Sequence, residues 1–545
     1  MTHPPATEHV TTPFSASTRL DHVERLAHEA FDILVIGGGI TGTAAARDAA
    51  LRGYAVALIE KDDFASGASS RSSRLIHGGL RYLEHFQFGL VRESVAERAR
   101  LMRAASRIVK PLPFIYPVYR RRYPPYFLLS IGLWLYDLMS VRQRGLPHHR
   151  MLRAEALAGV EPLVAAGDVA GAGQYYDAAV NDARLTLLTA KAAHQAGAVI
   201  ANHVEAVGLL KAGSKIVGAQ ARDALSGRVF EIRARVAVNA AGPWVDQVLG
   251  LDAPADRPML RPTKGAHLVV PRAKLPVRSA VVLRSPRDNR PLFAIPWGDF
   301  TLLGTTDTDY AGRPEEAAAE RADCAYLLEC VRDRMPGAAL EESDVISAFA
   351  GIRPLIAADS GDPSDVSREH AIVESKAGLI TIAGGKLTTH RLMAEQLIDR
   401  AQAKLVLDSG IAPKAPCRTR EAPLAASGDI ALPDLPEHTA RRLVEAYGAD
   451  VIEVLRTGSV EPLVPGLGYL RAEAAYAVEH EMAVTLCDFM MRRTHAIYEA
   501  VDGGLLQAGL VAADMGARMG WDDARMQREM ADYERQVVLA RGFRR

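Results

Sequence analysis

The stretch FDILVIGGGITGTAAARDAALRGYAVALIEKDD, residues 31–63, decides the fold. Ile33, Val35 and Ile36 read as a strand, Ala44 to Leu51 as a helix, and Tyr54 to Ile59 as a second strand. A strand, a crossover helix and a strand within about 30 residues make a βαβ unit, which belongs to a parallel sheet. Between the first strand and the helix stand Gly37, Gly39 and Gly42, spaced GxGxxG. The first permits a tight turn, the second lets the backbone approach a pyrophosphate, and the third lets helix and strand pack closely. The helix N-terminus adds partial positive charge. Glu60 closes the second strand 18 residues after Gly42, where a carboxylate accepts hydrogen bonds from ribose hydroxyls. The pattern predicts a dinucleotide site.

NAD and FAD share this fingerprint, and the residues beyond Glu60 tip the reading toward FAD. The segment DDFASGASSRSSRLIHGGLRYLE (62–84) offers the hydroxyls of Ser66, Ser69, Ser70, Ser72 and Ser73 and the open backbone of Gly78 and Gly79. Such a segment has the length and polarity to follow the longer cofactor from pyrophosphate to isoalloxazine. A second Gly-Gly lies in LITIAGGKL (379–387), again a strand running into a helix. A helix N-terminus there would stabilise negative charge on the flavin during reduction. Asn239 to Trp244, with Gly242, is a third cofactor element, where a strand end passes near the ligand.

Outward from these motifs, the chain of 545 residues is long enough for several domains. Zero formal net charge and 24% charged residues argue against nucleic acid or an acidic partner. The four cysteines, Cys324, Cys330, Cys417 and Cys487, have neither zinc spacing nor a disulfide framework, so no metal is expected and a reducing compartment is. Residues 1–28 read as an extension with a short helix near Leu20 to Ala27, without a signal-peptide core. No run reaches the roughly 18–20 apolar residues of a spanning helix. The protein is therefore expected to be cytoplasmic on its catalytic face, soluble or peripheral. Short strands and turns fill 198–240 and 260–310, a Pro- and Ser-rich linker spans 411–435, and 436–545 reads as a helical domain.

Taken in order, VIGGGITG (35–42), SSRSSRLIHGGLRYLE (69–84), VNAAGPWVD (238–246), KGAHLVVP (264–271), GTTDTDY (304–310), GIRPL (351–355) and GGKLTTHR (384–391) resemble the FAD-dependent, quinone-linked glycerol-3-phosphate dehydrogenases. The resemblance spans roughly Leu20 to the C-terminus and is looser around DFMMRRTHA (488–496). It implies an α/β (α+β) fold: a Rossmann-type FAD-binding domain, an interleaved antiparallel-sheet substrate domain and a C-terminal all-helical domain. The oxidoreductase unit would span 29–410, with FAD-binding parts near 29–110, 175–250 and 345–405 and a substrate part near 250–345. The implied reaction oxidises sn-glycerol 3-phosphate to dihydroxyacetone phosphate, passing electrons to a membrane quinone. Oxidising a secondary alcohol calls for a hydride acceptor, a proton acceptor and a grip on the phosphate. On the motif segments, His77 is expected to act as base, with Arg353 stabilising the alkoxide. Arg81, Tyr82, His267, Lys386 and Arg391 are expected to contact substrate. Gly385, Lys386, Leu387 and Thr388 are expected to contact the flavin.

One region breaks the charge balance. Between Arg98 and Arg153 stand twelve Arg and Lys against a single acid, Asp137, around the apolar YFLLSIGLWLYDLM (126–139). Arginines flanking a short apolar helix with interfacial aromatics suit an anionic membrane surface on the inner face of the cell membrane. A buried core helix with solvated arginines is the competing reading. Two other chemistries use this frame: a glycerol-3-phosphate oxidase passing electrons to oxygen, and an amine or amino-acid oxidase, which needs no phosphate grip. The helical tail is a candidate homodimer element.

Overall fold

A computed structural model describes residues 12–84, 86–120, 124–140, 146–165, 168–253, 257–357, 369–425, 430, 432 and 434–544, the side chains of Arg81 and Glu84 excepted. Strand Ala30–Ile36 pairs in parallel with Val56–Ile59 on one side and Val229–Asn239 on the other. Val199–Ala201 and Ile380–Gly384 extend the parallel sheet at its two ends, and His370–Glu374 closes one edge antiparallel. Its central strands are buried on both faces, which is why they read as unbroken apolar runs. Helix Ile40–Leu51 covers one face together with Asp182–Gln195 and His390–Ser409, through a layer of alanines (Ala44, Ala45, Ala46, Ala49) that lets the three helices approach closely. The strands Val204–Ala212 and Lys215–Asp223 form the expected meander with the first half of Val229–Asn239.

The N-terminal helix is longer than expected, Ala16–His28, and is part of this domain rather than an appendage. Arg19 is buried and donates to Asp223 and to the carbonyls of Asn202 and His203, while Val23 and Leu26 pack against the sheet.

A second sheet is mostly antiparallel and lies over the cofactor domain. Its central strands are Leu260–Pro271, Phe300–Gly304, Pro291–Trp297 and Ala280–Arg284. It also recruits Leu75–Ile76, Val109–Tyr119, Val169–Val180 and Ser347–Ile356, so the substrate-side sheet is built from widely separated parts of the chain. The division near 345 is corrected accordingly: Ser347–Ile356, with Arg353, is a strand of the second sheet.

Helices Glu437–Tyr447, Val451–Thr457, Ala472–His480, Leu505–Met519 and Asp523–Leu539 make up the C-terminal domain. The described part of the expected linker does not swing free. Lys414 N donates to Arg52 O, and Leu424 N and Ala425 N both donate to Ala104 O. A π-turn at Phe489–Arg493 presents two arginines to one carboxylate: Arg492 Nε reaches Asp63 at 2.6 Å and Arg493 Nη2 at 3.0 Å. Asp63 lies three residues beyond Glu60, so the helical domain is fastened to the cofactor turn. Removing Asp63 would leave Arg492 with Asp488 and Arg493 with the Glu481 carbonyl, a loss of about 1.5–3 kcal/mol.

Candidate active site

A cleft of about 300 Å³ runs between the two sheets, lined from Gly37, Gly39, Ile40 and Glu60 at one end to Tyr82, Lys386, Leu387 and Thr388 at the other. Three strand ends converge on it, those of Ala30–Ile36, Val229–Asn239 and Ile380–Gly384, the place where open parallel sheets bind ligands. Gly37 turns the chain at φ +116° beneath the carbonyl of Ala240. Gly42 stays out of the lining; a Cβ there would overlap the carbonyl oxygen of Gly37, so it serves the helix–strand contact the motif requires. The opening helix offers its amides to the cleft, and Ser69 Oγ accepts from Ile40 N at 3.0 Å. Glu60 accepts from Gly38 N (2.6 Å) and Asp62 N (2.9 Å), and burial pushes its carboxyl above the usual range.

The serine segment divides as a turn must. Ser66, Ser69, Ser72 and Ser73 line the cleft; Ser70 is buried away from it. Gly242 and Gly385 line it, with Trp244 beside them. Gly78 and Gly79 stay outside the lining and shape the turn that follows His77. His77 lines the cleft, with its peptide clasped by Thr388: His77 N donates to Thr388 Oγ1 at 3.1 Å, and that hydroxyl lies 3.2 Å from His77 O.

His267 and Arg353 arrive from neighbouring antiparallel strands. Thr263 faces Arg353 and His267 faces Phe349, so His267 stacks on its cross-strand partner with centroids 5.0 Å apart. Glycines at 265 and 304 leave room for the guanidinium and the imidazole. Arg353 donates to Asp307 (2.9 Å), Thr305 Oγ1 (2.9 Å) and Thr306 O (3.0 Å), which fixes its fork while it lines the cleft. Burial, with the cations of Arg353 and Arg74, pushes His267 down to about 3. It is therefore a neutral imidazole near pH 7 and a poor proton acceptor. Its Nε2 shares a hydrogen bond with Ser73 Oγ at 2.8 Å.

Lys386 lies at the second glycine turn. Its Nζ stands 3.8 Å from the centroid of the Tyr82 ring, buried and without a hydrogen-bond acceptor among the described residues. A buried ammonium lacking an acceptor is costly unless an anion supplies one. Tyr82, His77, Arg353 and Lys386 thus share one cleft; the side chain of Arg81 lies outside the described residues.

Arg391 is the correction. It was expected at the substrate, yet its guanidinium is taken up by Glu97 (2.7 Å to each oxygen) and Glu395 (2.8 Å), away from the cleft. One residue into helix His390–Ser409 the side chain has rotated to the face packed on Phe88–Ala104, where burial with two carboxylates holds it. Residues the motifs contained but the sequence reading left without a role are Thr305 and Asp307, which orient Arg353; the contacts of Trp244, read only as part of the third cofactor element, were not foreseen either. Trp244 Nε1 donates to Glu315 at 2.7 Å and its ring carries Lys61 Nζ at 4.1 Å. Only the quoted segments GTTDTDY and VNAAGPWVD hinted at them.

Residues 32–399 match the model of the FAD dependent oxidoreductase family, and 379–526 that of the C-terminal domain of alpha-glycerophosphate oxidase. The glycerol-3-phosphate dehydrogenase of Mycobacterium leprae (strain TN) is 39% identical over 531 residues, covering 94% of this chain and 89% of that one. The chain belongs to the FAD-dependent glycerol-3-phosphate dehydrogenase and oxidase family. The aerobic glycerol-3-phosphate dehydrogenase of Staphylococcus aureus (strain USA300) is 34% identical, covering 95% of this chain and 97% of that relative. The X-ray structure of the Bacillus halodurans glycerol-3-phosphate dehydrogenase complexed with FAD superposes with a TM-score of 0.77 at 30% identity, covering 97% and 98% of the two chains. FAD is the cofactor of this family, and the cleft fits it. The amides of the opening helix suit the pyrophosphate, Glu60 the ribose, and the second glycine turn with the unsatisfied Lys386 ammonium the ring end.

Proposed function

We propose that this enzyme oxidises sn-glycerol 3-phosphate to dihydroxyacetone phosphate and delivers the electrons to a membrane quinone. The observation that carries the reading is the convergence of a fixed guanidinium, Arg353, and a buried ammonium, Lys386, that hydrogen-bonds no described acceptor, on the cleft that also holds His77. FAD, when bound, supplies the acceptor for the hydride leaving C2. His77 takes the proton of the C2 hydroxyl. The neutrality of His267 supports this choice, because its depressed basicity makes it a poor acceptor and leaves His77 as the other imidazole lining the cleft. Arg353, held by Asp307 and Thr305, faces the oxygen as negative charge develops. Lys386 and Tyr82, together with Arg81, hold the phosphate, and neutral His267 hydrogen-bonds without adding charge.

Anaerobic addition of glycerol 3-phosphate to purified enzyme should bleach the flavin spectrum. His77→Ala and Arg353→Ala should keep bound FAD and lose that bleaching; wild-type bleaching in both would reject the assignment.

For the acceptor, the apolar helix Tyr126–Ser140 supports a bilayer. Phe127, Ile131, Trp134 and Leu138, spaced along one helical face, are 66%, 57%, 61% and 53% exposed. Leu129, Leu133 and Tyr136 on the other face are buried, so this is not a core helix. Exposed Arg150 and Arg153 and the half-exposed turn at Arg120 flank it, while Arg121, Arg122, Arg142 and Arg144 lie outside the described residues. Part of the basic excess is spent internally, since Arg98 pairs with Asp177 and Arg100 with Glu97. No helix among the described residues is long and apolar enough to cross a membrane, so the contact would be peripheral, on an anionic surface. Peroxide release with oxygen as acceptor, and no quinone reduction, would replace this with the oxidase reading.

A further inference from the structure

We propose that Tyr136 is a positioning residue for the catalytic turn, and that through it the seating of helix Tyr126–Ser140 on an anionic bilayer sets the rate at which substrate reduces the flavin. This rests on the reading of His77 as base and of the helix as the lipid-facing element.

The argument starts from the two faces of that helix. Its outer stripe of Phe127, Ile131, Trp134 and Leu138 stands in solvent, while Tyr136 points inward and is 1% exposed. The Tyr136 hydroxyl accepts from Gly78 N at 3.0 Å and donates to Asp177 Oδ1 at 2.7 Å. Gly78 N also lies 3.2 Å from Asp177 Oδ1, and Arg98 donates to both Tyr136 Oη (3.1 Å) and Asp177. Gly78 is the residue after His77. The peptide of His77 is therefore gripped on one side by Thr388, from the second glycine turn, and on the other by a phenol carried on the surface helix.

Little slack exists between helix and turn. A Cβ at Gly78 would overlap the Tyr136 hydroxyl and Val95, so the glycine lets the phenol reach the backbone. A Cβ at Gly173 would run into Leu133 and Leu129, which brings the same helix close to strand Val169–Val180, the strand that carries Asp177. Tyr175 meets the Tyr136 ring edge-on, centroids 5.9 Å apart. Packed interiors transmit displacement rather than absorb it. A shift of the helix as its outer stripe enters lipid is thus delivered through one hydrogen bond to the amide next to the proton acceptor. The complementary arginines and the width of the apolar stripe argue for an anionic lipid surface as the occupant.

The test uses FAD-loaded full-length enzyme with Tyr136→Phe, which keeps the ring and removes the hydroxyl. Stopped-flow anaerobic reduction by glycerol 3-phosphate would be measured with and without phosphatidylglycerol vesicles, alongside vesicle co-sedimentation. The limiting reduction rate should fall about fivefold to tenfold, the loss of one net hydrogen bond, with FAD content and substrate Kd unchanged. Vesicles should raise the wild-type rate at least twofold and leave the variant's rate unmoved, although both co-sediment equally. Gly78→Ala, which crowds the same contact from the backbone side, should reproduce the effect. Wild-type rates in both variants, or an equal vesicle response in Tyr136→Phe, would overturn the proposal; so would a wild-type rate indifferent to vesicles that it binds. Failure of the functional reading looks different: wild type would not co-sediment at all, or His77→Ala would reduce normally.

Discussion

Acidification should destabilise the protein, and His390, beside the turn that follows Gly385, contributes a share that can be worked out. His390 opens helix His390–Ser409 immediately after the turn Leu387–Thr389, is 3% exposed, and has Nδ1 2.8 Å from Leu387 O. Burial pushes it down to about 4, outweighing the backbone hydrogen bond that favours the cation. The unfolded chain titrates near 6.5. Above that value the ring is neutral in both states and contributes nothing to the pH dependence. Between 6.5 and about 4 the unfolded chain takes up a proton that the fold refuses, so stability falls as pH falls, by about 1.4 kcal/mol per unit. At pH 5 the deficit is about 2 kcal/mol, and below pH 4 it levels off near 3.4 kcal/mol. His390→Gln keeps a donor for Leu387 O without a titrating group. Urea titrations at pH 7 and pH 5, followed by far-UV circular dichroism and by flavin fluorescence on release, should show the wild type losing about 2 kcal/mol more than the variant. Equal losses in the two proteins would refute the assignment of a buried neutral His390.

Three further outcomes follow from particular contacts. Gly42→Ala should yield folded but flavin-poor protein, because the added methyl must push the opening helix off the Gly37 carbonyl; stoichiometric yellow protein on purification would count against the geometry. Arg391→Ala should lower stability by about 1.5–3 kcal/mol, since buried Glu97 loses two charge-assisted hydrogen bonds and keeps only Arg100. Any variant that survives at low temperature should show a wild-type KM for glycerol 3-phosphate; a tenfold rise would restore Arg391 to the substrate site. Ile131→Glu with Trp134→Glu should abolish sedimentation with anionic vesicles at low salt without shifting Tm, and unchanged sedimentation would move the docking face elsewhere.

The parts of the fold legible in the sequence are those set by backbone rules over short distances. Gly37, Gly39, Gly42 and Glu60 fall within one βαβ unit, where conformational demand and ligand demand coincide. The same holds for the turn at Gly385 and for the serine run, whose hydroxyls alternate between the cleft and the interior as at Ser69 and Ser70. Arg391 was misread because its role depends on rotation about a helix axis: Lys386 faces the cleft before the helix begins, and five residues later the side chain faces Glu97, nearly three hundred positions away in sequence. The basic segment shows the same limit. Arg98 looks like membrane-facing charge until a strand returning at Asp177 neutralises it. The second sheet takes Val109–Tyr119, Val169–Val180 and Ser347–Ile356 from stretches with no shared local signal, because antiparallel pairing across long separations leaves only alternation to read.

The cations of this chain are separated by what surrounds them, and that separation bears on function more than their number does. Arg98, Arg184, Arg391, Arg492 and Arg493 are buried against carboxylates that satisfy them, so they lock elements together and offer nothing to a ligand. Arg353 is different: Asp307 and Thr305 steady its fork while it still lines the cleft. Lys386 is different again: its ammonium stands over the Tyr82 ring and hydrogen-bonds no described acceptor, with the Glu93 carboxylate acting on it only through space. Among the described residues most buried arginines hold a carboxylate while the Lys386 ammonium hydrogen-bonds none, which leaves a place for an anion such as the flavin or the phosphate of the proposed substrate. The proposed phosphate grip also weighs against the amine oxidase reading, whose substrate brings no anion to such a cation, whereas an amino-acid oxidase would bring only a carboxylate.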